Sequence, residues 1–272
     1  MMQLMRDLWF TRRDLVSDGF DRALSYIAKI LPLKIHAIRS GTRCWTWIVP
    51  EKWSVREAYI EDLDGNRVLD SKNHPLHVVA YSLPIDKVVS KAELLAHLHT
   101  KPARPNAIPY EFKFYQRDWG FCLPHNRLKA FTKDRYRAVV RSTFEKGTLK
   151  IGNATIAGTR TDTIVLVAHL DHPAMANDDL SGVAVLVDIA KELRKRANRY
   201  TYTCLFLPET IGSIAFASQN PKIVSRMKYG VFLEMLGNKN TPALQLSRQG
   251  DTLLDQIATY VLARRYKKFL RG

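Results

Sequence analysis

Cysteine is scarce in this chain of 272 residues, and the patterns that would give it a purpose are missing. The three cysteines, Cys44, Cys122 and Cys204, are widely spaced. None forms a C-x-x-C pair and the odd count leaves one over, which argues against a disulfide framework or a cysteine-ligated zinc site. They read as reduced, mostly buried residues of a cytoplasmic protein. No apolar run approaches the roughly 20 residues of a membrane-spanning helix. The opening MMQLMRDLWFTRRDL has neither the apolar core nor the small-residue cleavage site of a signal peptide. Low-complexity tracts are absent, and 46% hydrophobic with 25% charged residues is the composition of a globular chain.

Acidic residues are also in short supply. Asp and Glu number 26 against 42 Lys and Arg, giving a net charge of +16 and a pI near 9.8. Such a charge points to an anionic partner. The basic residues are dispersed, however, with clusters only at 191–199 and 264–271, and no nucleic-acid-binding module accompanies them. Neither a specific nucleic-acid partner nor a membrane is expected. Histidine is limited to eight residues, the last being His172.

What the sequence does contain is concentrated at residues 164–190, IVLVAHLDHPAMANDDLSGVAVLVDIA. The run 164–168 is continuously apolar, as in a strand buried on both faces. It delivers His169, Asp171 and His172 at its carboxyl end. A loop with Asn177, Asp178 and Asp179 leads into a helical period from 183 to about 195, for which Asp179 or Ser181 is the expected cap. Taken singly, such residues are hydrogen-bonded strand ends, turns or caps. Two His and three Asp within eleven residues, at the strand edge where open α/β sheets bind ligands, point to a metal or catalytic site.

Along the rest of the chain, residues 2–31 carry apolar positions at helical spacing interrupted by Ser17-Asp18-Gly19, which predicts two helices. Strands are expected at 33–38 and 44–49, and Trp45, Trp47 and Trp53 read as packing residues. A hairpin is expected around Leu63-Asp64-Gly65-Asn66, a strand at 77–81, a helix at 87–99 and a proline-rich loop at 101–109. His74, His77, His97 and His99 read as surface or capping residues. Segments 135–142 and 148–156 look like an antiparallel pair. Strand 201–207, a helix at 214–220 and strand 229–233 then continue the β-α-β alternation of a parallel sheet. The fold class expected is α/β: a mixed, mostly parallel sheet flanked by helices, interrupted by a small α+β insert. The corresponding domain boundaries are 1–54, 55–119 for the insert, and 120–272.

Three successive strands thus end in imidazole or carboxylate groups. His169 and Asp171, with Asp178 in the loop, follow the first, Glu209 the second and Glu234 the third. Parallel strands end on one edge, so these residues can share a site despite their separation in sequence. As the structural alternatives, Glu209 caps a helix and Glu234 pairs with a cation.

HLDH, ANDDLSGVA and PETIGS resemble motifs of the M28-like zinc aminopeptidases. PEKWSVREAYI, HPLHVVAYSLPID, IPYEFKFYQRDWGFC and LPETIGSI resemble, more specifically, bacterial aminopeptidase-like proteins of the DUF4910/DUF2172 type, often linked to polysaccharide biosynthesis. The resemblance covers nearly the whole chain. It implies a zinc aminopeptidase-like fold with an insert, and a centre of one zinc ion with a second as an option. His169 and Glu234 would be ligands, Asp178 a ligand or a bridge, and Asp171 would orient His169 or tune the metal. Glu209 would be the general base or a ligand to a second metal. The implied substrate is a peptide or an amide-bearing saccharide, and a homo-oligomer is compatible with the pattern.

Two departures stand out. The aminopeptidases carry two adjacent glutamates where this chain has Pro208-Glu209-Thr210, and they take a last ligand from a histidine far downstream, where this chain has none. Relatives of this type also extend further, so the chain is expected to be truncated at about residue 250. One site, from His169, Asp178 and Glu234, remains complete, while a second requires His172 to turn inward. A catalytically inactive binding or scaffold protein on the same fold is the alternative function. A nucleic-acid-associated role rests on charge alone.

Overall fold

A computed structural model describes all 272 residues. Two helices open the chain, α1 (Met2–Leu8) and α2 (Asp18–Ala28), separated at the Ser-Asp-Gly break. Ser17 caps α2 by accepting a hydrogen bond from the Phe20 N–H at 3.2 Å. Phe20, Ala23, Leu24 and Ile27, three or four residues apart, form its buried stripe. There follow β1 (Lys34–Arg39), β2 (Lys52–Asp62), β3 (Arg67–Asp70), β4 (Ile85–Ser90), α3 (Lys91–Ala96), β5 (Arg135–Glu145) and β6 (Thr148–Ile156). The site-bearing part comprises β7 (Thr163–His169), α4 (Leu180–Leu193), β8 (Thr201–Leu207), α5 (Ile211–Gln219) and β9 (Met227–Phe232). Helix α6 (Leu253–Arg265) lies near the end of the chain. No helix is long and apolar enough to cross a membrane, and all three cysteines are free and buried.

The chain is a mixed α/β fold with two main sheets. One has the order β1-β6-β8-β7-β9. Its β7, β8 and β9 are parallel, whereas β6 runs antiparallel to β8 and β1 antiparallel to β6. The other, β3-β2-β5-β4, is antiparallel throughout and draws β5 from beyond residue 119.

Three local expectations are corrected. Segments 135–142 and 148–156 do not pair with each other. β5 lies between β2 and β4, and β6 between β1 and β8, so the chain passes from one sheet to the other at Lys146-Gly147. The long β2 supplies β5 with a non-local partner over almost its full length, which local turn chemistry cannot reveal. Residues 85–90 are a strand, and only Lys91–Ala96 is helical. The β-branched Val88-Val89 favours the strand, and Ser90, accepting from the Glu93 N–H at 3.1 Å, starts the helix after it. Residues 77–81 make only isolated bridges after a short turn at Pro75–His77.

Side-chain alternation along the strands divides the core. Leu166, Ala168, Cys204 and Phe206 pack with Leu180, Val183, Leu186 and Val187 of α4 and with α1 and α2. Leu205 and Leu207 face the other way, joining Ile211, Ala215 and Phe216 of α5 and, continuously, Trp53, Ile60 and Val140 of the second sheet with Tyr81 beside it. Trp53 is buried and stacks on Tyr81, whereas Trp45 is exposed. Parallel register sets His169 opposite Leu207 and Val167 opposite Phe232. β7 and β8 therefore end level, and β9 ends two residues short of them on the same edge.

Candidate metal centre

The carboxyl ends of these three strands and the loops that leave them carry the imidazole and acidic residues of the centre. After β7 come Asp171, His172 and, past a short loop, Asp178. Glu209 follows β8 by two residues and Glu234 follows β9 by two. The loop after β7 is anchored from beneath by Arg13, a fully buried guanidinium that donates to the carbonyls of Leu170 (2.9 Å) and Met175 (3.0 Å).

Asp179 is the N-cap of α4, accepting from the Gly182 N–H at 3.0 Å. The same oxygen accepts from the Met235 N–H at 3.0 Å, next to Glu234. Asn177 adds a second tie by accepting from the Gly237 N–H at 2.9 Å. Gly182 makes this approach possible, since a Cβ there would stand 2.3 Å from the Leu233 carbonyl oxygen and 2.5 Å from the Asp179 carboxylate. His172, Ala174, Thr210 and Met235 all have left-handed backbones (φ 78°, 49°, 55° and 53°). Each such residue costs energy and persists where surrounding contacts over-determine it, as they do in these loops.

The geometry converges on one carboxylate. Asp178 Oδ1 lies 3.0 Å from His169 Nε2 and 3.6 Å from His172 Nδ1. His169 Nε2 is also 3.7 Å from Glu234 Oε1. One ligand atom from each of His169, Asp178 and Glu234 falls within 4.8 Å of the others. On the far side of the His169 ring, Nδ1 contacts Asp171 Oδ1 at 3.3 Å. The far nitrogen of His172, Nε2, contacts Glu209 Oε2 at 3.2 Å and Asp171 Oδ2 at 3.7 Å. The two imidazoles are 4.8 Å apart, and Tyr110 closes over His172 with its ring centroid also at 4.8 Å.

These groups fit a metal ion. The buried atoms His169 Nε2, His172 Nδ1 and Asp178 Oδ1 have no hydrogen-bond partner, although buried polar atoms are ordinarily satisfied. Two ligands about 2.0–2.1 Å from a tetrahedral zinc are about 3.3 Å from each other, and the observed 3.0 and 3.7 Å separations bracket that value. The donor set is imidazole and carboxylate, which zinc accepts readily.

The electrostatics agree. Five carboxylates, those of Asp171, Asp178, Asp179, Glu209 and Glu234, surround two imidazoles in a chain that is otherwise strongly basic. Burial disfavours a cation on His169, but Asp171 and Asp178 outweigh it and raise its pKa to about 10. His172 is likewise opposed by burial and raised to about 9 by Asp178 and Glu209. Burial works to raise Asp178, yet the two imidazoles hold it well below the usual carboxylate range. Burial pushes Asp179 up to about 7 and also raises Glu234. The site thus calls for positive charge at its imidazoles, which a metal ion can supply in exchange for protons.

The structure brings together His169, Asp171, Asp178, Glu209 and Glu234. Of these, His169 and Asp171 are buried, while Asp178, Glu209 and Glu234 keep a third to almost half of their side chains exposed. His172 turns inward and is buried with them. No local pattern announces that turn, although its position within HLDH was a signal. Tyr110, from the IPYEFKFYQRDWGFC stretch, and Arg13, which belongs to no motif, arrive from distant segments. The other histidines stay apart: His74 caps the turn at Pro75–His77, and His97 stacks on Trp119. His77 is not a surface residue but is buried, its Nδ1 2.8 Å from the Cys122 carbonyl oxygen.

A family model described as "Domain of unknown function (DUF4910)" matches residues 2–271. A Clostridium acetobutylicum protein, whose name assigns it provisionally to polysaccharide biosynthesis and gives it an aminopeptidase-like domain, is 36% identical over 259 residues. The match covers 95% of this chain and 60% of the relative. A crystal structure from Clostridium acetobutylicum, described provisionally as a peptidase, superimposes with a TM-score of 0.94 at 35% identity, over 99% of this chain and 64% of that one. The chain therefore spans about three fifths of the length of these relatives. A zinc aminopeptidase from Bacillus subtilis shares the fold, with a TM-score of 0.67 at 13% identity, over 99% of this chain and 76% of that one.

Proposed function

The chain belongs to the DUF4910 family, and on that footing we propose that it is a zinc-dependent, aminopeptidase-like hydrolase of amide bonds. The reading rests above all on the convergence of His169, Asp178 and Glu234 with unpartnered donor atoms. These three would hold the ion. Bound zinc would act as a Lewis acid towards the scissile carbonyl and the attacking water.

The chain's own residues do the rest. Asp171 holds the His169 ring by its Nδ1 and so keeps Nε2 directed at the ligand position. Glu209 is the general base: its carboxylate is about half exposed at the mouth of the centre. It takes the proton of the attacking water and passes it to the leaving amine. Its backbone N–H donates to Asp171 Oδ1 at 2.8 Å, which sets it in register with the ligand loop. The substrate we propose is a peptide or an amide-bearing saccharide. The saccharide option draws on the name of the Clostridium relative. Three unpaired, buried cysteines suit a reducing, cytoplasmic setting.

The test is turnover of aminoacyl anilides and N-acylated amino sugars by zinc-loaded protein. The expected result is hydrolysis that a chelator abolishes and Glu209→Gln suppresses. One observation favours a second reading. The loop after β8 offers one glutamate, Glu209, between Pro208 and Thr210, where the resemblance to the aminopeptidases implies two, as a catalytically silent binding protein would allow. Metal-loaded protein without turnover would decide for it.

A further inference from the structure

Both histidines of the centre are arranged alike. In His169, Nδ1 faces a carboxylate, Asp171, at 3.3 Å, and Nε2 faces Asp178 Oδ1 at 3.0 Å. In His172 the roles of the nitrogens are exchanged: Nε2 faces the Glu209 carboxylate at 3.2 Å, and Nδ1 faces the same Asp178 Oδ1 at 3.6 Å. A metal-binding imidazole characteristically donates its remote N–H to a carboxylate, which leaves the near nitrogen as a lone pair directed at the metal. His172 meets that description.

Its near nitrogen and the facing oxygen are both buried and without a hydrogen-bond partner. The 3.6 Å that separates them is close to the spacing of two donors on one zinc ion, which can take the place of a proton between imidazole and carboxylate. His172 is also held in place at some cost. Its backbone is left-handed at φ 78° and its ring is clamped beneath Tyr110. A histidine serving only as filler would not need that backbone.

We propose that His172 is a metal ligand through Nδ1, and that Asp178 Oδ1 is the oxygen shared by both imidazoles. The centre then obtains its second imidazole three residues after the first, from within the HLDH turn. This inference rests on the zinc reading above.

The test uses Co2+ alone, titrated into metal-free protein of the full chain and followed by calorimetry and visible absorption. Wild type, His172→Ala and His172→Gln are compared, with circular dichroism establishing that each variant is folded. The proposal predicts at least tenfold weaker binding in both His172 variants and a changed cobalt spectrum. Wild-type affinity and spectrum in the His172 variants would overturn this inference and leave the zinc reading standing. Failure of wild type to bind Co2+ or Zn2+ would overturn both. The wild-type protein offers a second readout that requires no variant. Imidazole 15N resonances in zinc-loaded protein should show one metal-shifted Nε2 and one metal-shifted Nδ1, and a lone Nε2 would contradict the proposal.

Discussion

The backbone N–H of Glu209 donates to Oδ1 of Asp171 across 2.8 Å, so the loop after β8 is hydrogen-bonded to the loop after β7. The same oxygen contacts His169 Nδ1. On the proposed function, one carboxylate thereby holds the ring of the proposed ligand His169 and positions the proposed base Glu209. Asp171→Ala should weaken zinc binding roughly 10–100-fold, as loss of a group supporting a metal ligand does. It should also destabilise the fold by about 1.5–3 kcal/mol through loss of the part-buried hydrogen bond from the Glu209 N–H to a charged group. Calorimetry and chemical denaturation measure the two effects, and an unchanged zinc affinity would refute the orienting role.

Glu209→Gln separates base from ligand. If Glu209 is the base, turnover falls by roughly 10²–10⁴ while elemental analysis finds the wild-type zinc content. Loss of zinc in this variant would instead make Glu209 a ligand.

Gly182→Ala tests the stitch between the loops. The added methyl group meets the Leu233 carbonyl oxygen at 2.3 Å and the Asp179 carboxylate at 2.5 Å, neither of which can yield without breaking the cap of α4. Overpacking of this kind costs about 1–3 kcal/mol. A denaturation midpoint equal to wild type would show that the loops are looser than described.

Much of this centre was legible in the sequence, for a physical reason. His169, Glu209 and Glu234 follow apolar runs whose parallel pairing brings their ends to one edge, so convergence was implied by the succession of strands. Asp178 was placed by the short loop before a capped helix. His172 was legible as a neighbour of the site within HLDH, but its inward orientation was not. Its inward turn depends on a left-handed backbone and on carboxylates from two other loops, none of which local pattern encodes. The crossing at Lys146-Gly147 was hidden for a similar reason. The turn residues suit a hairpin, and only the non-local partners β2 and β8 draw the two strands into different sheets.

Outside the site, Asp255 gives a pH prediction. It accepts from the Ser247 hydroxyl and N–H and from the Thr252 hydroxyl and N–H, closing a capping box at the start of α6. The Ser247 hydroxyl contributes most to holding its pKa well below the carboxylate range. A depressed folded-state pKa stabilises above the unfolded value of about 3.9 and loses that contribution as pH falls through the folded value. Helix α6 should therefore fray in acid, below about pH 4, and Asp255→Asn should be frayed already at neutral pH. Amide exchange along 253–265 reads this directly, and pH-independent protection would contradict it.

The measurement that bears most directly on the account is zinc content by elemental analysis, for wild type beside His169→Ala and Asp178→Ala. The account predicts at least about one zinc per chain in the wild type and its loss in both variants. Wild-type protein that takes up no metal when zinc is supplied, or variants that retain it, would show that the converging strand ends are not a metal centre.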